Sequence, residues 1–209
     1  MRRFACLLVS SLLALCCGTA LAQSSGEPVP NGRLPTWAVP ERYSLALKID
    51  PEQTQFSGRT TIRVQLKQAS DHLWLHGKEL QVSKVTVKPG KGKALTAGYV
   101  EADAQTGVAR LDFGRTLKPQ TLTVEIAYSA PLNQQLQGLY QVKYQGKAYA
   151  MTQMEPISAR YAFPGFDEPA FKTPFNLSLT VPSHDQALAN TIAISTKPAG
   201  KGWKTVTFA

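Results

Sequence analysis

Apolar residues recur at every second position through most of this chain. Tyr43, Leu45, Leu47 and Ile49 alternate with Ser44, Ala46 and Lys48. Phe56, Thr60, Ile62, Val64 and Leu66 share one parity, opposed by Arg59, Thr61, Arg63 and Gln65. Leu73 and Leu75 alternate with His72, Trp74 and His76, and Val85 and Val87 follow. The pattern returns at Leu122, Val124, Ile126 and Tyr128, and again at Phe175, Leu177, Leu179 and Val181. A strand sends successive side chains to opposite faces, so a period of two marks strands with one face buried. A helix needs a period of 3.6, and no window carries one beyond a turn or two. Asp50-Pro51, Gly77, Pro89-Gly90, Gly114, Pro131, Gly146, Pro182 and Pro198-Ala199-Gly200 are read as the turns between these runs. The pattern predicts an all-β chain of antiparallel strands, built as a sandwich or a large curved sheet.

The first 22 residues have a different character. Arg2 and Arg3 precede an apolar run from Phe4 to Cys17 that is too short to cross a bilayer. Ala20-Leu21-Ala22 then supplies a small-x-small cleavage pattern. Residues 1–22 are therefore predicted to be a cleavable signal peptide, cut after Ala22. That places the product in the periplasm or outside the cell, with no stable membrane anchor. Cys6, Cys16 and Cys17 all leave with it, so residues 23–209 hold no thiol, disulfide or cysteine ligand. Stability must come from a packed core. Residues 23–34 are rich in Ser, Gly and Pro and read as a flexible leader. The β domain is expected over residues 35–209. Its final stretch, Trp203 to Ala209, is a strand pattern with no polar tail, which predicts a domain incomplete at its C-terminus and cut from something longer.

Loss of Arg2 and Arg3, with no acid, takes the formal charge from +9 to +7. Lys84, Lys88, Lys91 and Lys93 crowd around Pro89-Gly90 and Gly92 without interleaved aromatic residues. That composition predicts a solvated hairpin tip and no nucleic-acid partner. Lysines also suit strand edges, where they discourage edge-to-edge association.

The chemistry-bearing residues are few. The histidines are His72, His76 and His184. His72 and His76 have the spacing of a helical zinc motif, but Leu73 stands where H-E-x-x-H needs Glu, and the local period is that of a strand. They are read as surface or packing histidines, and no metal site is expected in the chain. There is no G-x-S-x-G nucleophile elbow, and Gly90-Lys91-Gly92-Lys93 lacks the ending of a phosphate loop. No catalytic residue is assigned. What remains is Thr152-Gln153-Met154-Glu155-Pro156. On an extended segment Gln153 and Glu155 point the same way. An amide beside a carboxylate can hold a substrate's α-ammonium and its first side chain or carbonyl through charge-assisted hydrogen bonds. The competing reading pairs Glu155 with Arg160 and leaves it no further role. The following Phe163-Pro164-Gly165-Phe166-Asp167-Glu168-Pro169 combines fixed φ angles, a permissive glycine and an aspartate suited to backbone amides. It is read as a rigid architectural turn that holds Gln153 and Glu155 in place.

These motifs resemble a known family. Thr152 to Pro156, Arg160 and Phe163 to Lys172 are similar to the T-Q-x-E-P … R-x-x-F-P-x-x-D-E-P-A-x-K block of the aminopeptidase N family of zinc exopeptidases. Val39 to Tyr43, Phe56-Ser57-Gly58, Gly138-Leu139-Tyr140 and Leu188-Ala189-Asn190 match as well. Gly165 departs from the many members that carry cysteine there. The resemblance implies a saddle-like N-terminal β domain, packed against a catalytic domain of the same polypeptide. It implies that Gln153 lines the first side-chain pocket and that Glu155 binds the free amine of a peptide N-terminus. Zinc would be expected in the missing catalytic domain, and this chain alone would be inactive. A stand-alone secreted β-sandwich binding module is the alternative.

Overall fold

The structure, a computed structural model, describes residues 27–209; the expected signal peptide and the first residues of the leader lie outside the described residues. The strands in chain order are β1 (Ala38–Lys48), β2 (Gln55–Leu66), β3 (Ser70–His76), β4 (Gln81–Pro89), β5 (Leu95–Thr96), β6 (Gly98–Asp103), β7 (Val108–Leu117), β8 (Gln120–Pro131), β9 (Gly138–Tyr144), β10 (Lys147–Gln153), β11 (Phe175–Pro182), β12 (Ala193–Pro198) and β13 (Trp203–Phe208). Among the described residues the helical content is one 3-10 turn, Ala159–Tyr161.

The strands form an eight-stranded sheet, ordered β12-β13-β11-β1-β2-β8-β4-β5, a three-stranded sheet, β3-β7-β6, and a separate β9–β10 hairpin. Pairing is antiparallel except between β1 and β11, which run parallel with Tyr43 opposite Phe175. A hairpin cannot join a parallel pair; β11 arrives only after the chain has built everything between.

The two larger sheets share one core. Ile62, Val64 and Leu66 of β2 and Leu122, Val124 and Ile126 of β8 are fully buried, in one apolar cluster with Leu73, Leu75 and Leu111 of the small sheet. Two sheets burying their inner faces against each other make a sandwich. Each such Leu or Ile side chain stabilises the fold by about 1.5–3 kcal/mol through burial. The alternation in β1, β2, β4 and β8 matches burial position by position.

Three local departures from the sequence reading have physical causes. Gly114, read as a turn, lies within β7 at φ +67°, between the two points where β3 and β7 lose register, Ser70 opposite Leu117 and His72 opposite Asp112. An irregular ladder needs a residue that accepts a left-handed backbone. β3 is buried on both faces, so His72, Trp74 and His76 are interior. Trp37 packs edge-on against His72 at 5.5 Å and covers the outer side. Phe175, Leu177 and Leu179 alternate as expected, yet Phe175 is exposed and the two leucines are half-buried, because β11 lies toward the edge of the large sheet.

Candidate functional site

β10 ends at Gln153, and the chain then turns through Glu155–Ser158 into the 3-10 turn. The Glu155–Pro156 bond is cis. The turn begins at Glu155, which does not continue the strand, so strand parity does not relate it to Gln153. The backbone brings the two together instead: Gln153 Nε2 donates to the Glu155 carbonyl oxygen at 3.3 Å. Both side chains are exposed.

Arg160 is not available to Glu155. Its guanidinium is buried and its Nε donates to Asp167 Oδ2 at 2.8 Å. Nη2 donates to the Asp167 carbonyl at 3.1 Å, and Nη1 donates to the Thr106 carbonyl. The Arg160 backbone N–H also reaches Asp167 Oδ2, at 3.2 Å. One carboxylate thus ties the 3-10 turn to the loop seven residues on and, through the arginine, to the turn before β7. The ion pairs among the described residues do not include Glu155.

The Phe163–Pro169 loop is held from both sheets. Gly165 exchanges backbone hydrogen bonds with His76 of β3, at 2.7 and 2.8 Å. The hydroxyl oxygen of Tyr43 of β1 accepts the Phe166 N–H at 2.8 Å. Tyr128 of β8 donates its hydroxyl to the Ala162 carbonyl at 2.8 Å. The Asp167 N–H reaches His76 Nδ1 at 3.2 Å. Glu168 Oε1 accepts the Leu34 N–H at 2.6 Å, so the loop also holds the segment ahead of β1.

The electrostatics keep these partners in working protonation states. Burial pushes both tyrosine hydroxyls well above their ordinary value, so they stay neutral. Burial, reinforced by the nearby Arg160 charge, pulls His76 down to about 3. A neutral imidazole is what the Asp167 N–H requires, because only an unprotonated Nδ1 accepts. Gly165 sits where a Cβ would approach the Tyr43 ring at 3.1 Å, so a side chain there needs that ring to move by a few tenths of an ångström.

The sequence reading identified the rigid turn but missed its partners. Tyr43, Tyr128 and His76 occupy buried strand positions and carry polar ends, which is the one signal that could have exposed them. Asp167 bonds Arg160, not only the nearby amides expected of it.

Gln153 also belongs to a larger surface. Cross-strand partners share a face, and the β9–β10 register pairs Gln153 with Gly138, Met151 with Tyr140, and Tyr149 with Val142. Tyr144, Tyr149 and Met151 on this face are about half exposed or more. These apolar residues lead along the hairpin to the Gln153 amide. Gly138 must stay small: it has φ +62°, and a Cβ there would meet Tyr161 Cβ at 2.7 Å.

Metal chemistry finds no donor set here. Among the described residues no three His, Cys, Asp or Glu side chains gather as a metal site would require. His72 is hydrogen-bonded by Asp71 at 2.6 Å and lies 2.8 Å from Glu27, while His76 serves the loop. The residues present do not fit a zinc centre.

A family model described as the peptidase M1 N-terminal domain matches residues 39–209. The chain is 34% identical over 198 residues to puromycin-sensitive aminopeptidase of Caenorhabditis elegans, covering 92% of this chain and 21% of that protein. It is 31% identical over 215 residues to endoplasmic reticulum aminopeptidase 1 of Homo sapiens, covering 93% of this chain and 23% of the relative. Aminopeptidase M1 of Arabidopsis thaliana is 34% identical over 175 residues, 80% of this chain and 20% of its own length. The chain thus spans about a fifth of the curated relatives it matches. The family model covers most of the chain, and the chain belongs to the peptidase M1 N-terminal domain family.

Proposed function

We propose that this domain is the part of a zinc aminopeptidase that receives the free amino end of a peptide. Glu155 binds the α-ammonium, and Gln153 lines the place of the first side chain. The observation that carries this reading is the Glu155 carboxylate: exposed, outside every ion pair described, and two residues beyond Gln153, which ends the Tyr140–Met151 face, on the turn that leads into Arg160 and its ion pair with Asp167. A carboxylate placed so can meet an incoming ammonium without first giving up a cation of its own. A hydrogen bond to a charged group contributes about 1.5–3 kcal/mol, enough to favour peptides with a free amine over blocked ones.

In this reading the zinc ion, its ligands and the general base belong to a catalytic domain of the same polypeptide. The length of the relatives and their names as aminopeptidases support that arrangement. The signal peptide read at residues 1–22 would deliver the protein to the periplasm or beyond. Among the described residues no metal-holding cluster gathers to activate water, and the chain by itself should hydrolyse nothing.

The test is an activity assay on two purified proteins with an aminoacyl amide as substrate. Residues 23–209 alone are expected to release no amino acid, with or without zinc. The same residues joined to a peptidase M1 catalytic domain are expected to release it. Zinc-dependent release by residues 23–209 alone, abolished by a chelator, would overturn the proposal.

A further inference from the structure

We propose that a cleft between the turn after β4 and the β7–β8 connection is an anion site for a phosphate group, and that it meets this group on an anionic phospholipid surface. Between Glu79 and Glu101 the chain carries Lys84, Lys88, Lys91 and Lys93 and no acid. Between Asp112 and Glu125 it carries Arg115 and Lys118 and again no acid. The topology joins these stretches. β4 and β8 pair with Lys88 opposite Thr123 and Pro89 opposite Leu122. The Gly90 N–H donates to the Thr121 carbonyl at 2.8 Å. The turn after β4 is thereby set against the turn between β7 and β8.

The cleft between them measures about 310 Å³, and Lys91, Arg115 and Lys118 line it together with Thr116 and Gln120. No carboxylate and no aromatic ring reaches it. The three cations take part in none of the ion pairs among the described residues. Like charges around one open cavity repel one another, and a multi-oxygen anion relieves all three at once. A guanidinium fork and ammonium point charges together suit phosphate.

The surroundings decide between sources of phosphate. Lys67, Lys88 and Lys93 are exposed, and Lys67 follows Leu66, which pairs with Gln120 beside the cleft. Positive charge therefore extends past the cavity, as contact with an array of headgroups favours; each such cation near an anionic membrane contributes about fivefold to binding. A single strand of nucleic acid is held by stacking on aromatic rings, and the cleft offers none.

The experiment uses residues 23–209 with two triple variants of equal charge change. The first is Lys91→Gln, Arg115→Gln and Lys118→Gln. The second, Lys143→Gln, Lys197→Gln and Lys201→Gln, alters exposed lysines elsewhere. Partition onto phosphatidylcholine vesicles with and without phosphatidylglycerol is measured at low and physiological salt. Inorganic phosphate is titrated in parallel, with the Gly90 and Gly92 amide resonances as the readout. Binding is expected only to the anionic vesicles, weakening with salt. The cleft variant should lose about a hundredfold and the control variant should keep its binding. Phosphate should shift both glycine amides in the parent and in the control variant only. Equal loss in both variants would reduce the effect to net charge and overturn the site. Phosphate shifts without vesicle binding would overturn the membrane source. Duplex DNA bound more tightly than vesicles through the same three residues would overturn it in favour of nucleic acid. Neither shifts nor binding would overturn the proposal altogether.

Discussion

Arg160 and Asp167 show how a single residue pair can hold a loop. Their side chains keep only 7% and 12% of their exposure. A charge removed from water at that depth is tolerated because its partner and two backbone carbonyls satisfy it. Asp167→Ala leaves the guanidinium buried and unpaired, and the expected cost is about 3–5 kcal/mol. The contrast is Arg59–Glu125, whose side chains are 58% and 40% exposed. Glu125→Ala should cost no more than about 1 kcal/mol. Urea unfolding at neutral pH compares the two directly, and equal losses would remove the loop's anchoring role. This lock was half legible. The sequence marks Phe163–Pro169 as a rigid turn through its prolines and glycine. It does not mark Arg160 and Asp167 as partners, because a seven-residue spacing belongs to no regular element. Nor does it show that Tyr43, Tyr128 and His76 converge on the loop from β1, β8 and β3.

Among the elements, legibility followed burial contrast. β1, β2 and β8 bury one face and expose the other, so their side chains alternate and the strands were plain. β9 and β10 were not read as strands, because Tyr144, Tyr149 and Met151 lie exposed on their apolar face. β12 was equally silent: it is an edge strand with little buried surface, and Ile194 is exposed. β7 did carry a signal, since Ala109, Leu111 and Phe113 alternate, but Gly114 masked it by resembling a turn. The β9–β10 face has a physical consequence. Exposed apolar patches of this kind mark surfaces that meet another protein. Residues 23–209 should self-associate at high concentration, and Tyr144→Lys, Tyr149→Thr and Met151→Thr together should restore a monomer. Sedimentation velocity distinguishes the outcomes. A monodisperse parent protein would mean that this face needs no covering and would favour a stand-alone module.

The whole molecule is a β-sandwich whose apolar β9–β10 hairpin leads to the Gln153 amide and, two residues on, the exposed Glu155 carboxylate, without a donor set for metal among its described residues. The all-β class was legible from β1, β2 and β8, because alternation survives where a sheet has one wet face. The placement of Glu155 was not, because a turn and not strand parity positions it. The central claim is that Glu155 binds the peptide's free amine, while Glu168 only holds the leader through the Leu34 N–H. The most direct test measures kcat/KM on a free-amine peptide panel in a polypeptide that joins this domain to a peptidase M1 catalytic domain. Glu155→Ala should lower kcat/KM about tenfold to a hundredfold, which is the loss of one charge-assisted hydrogen bond. Glu168→Ala should lower it less, and Gln153→Ala should change which first residue is preferred more than the overall rate. Near-parental kcat/KM for a folded Glu155→Ala enzyme would contradict the account and leave the segment as architecture.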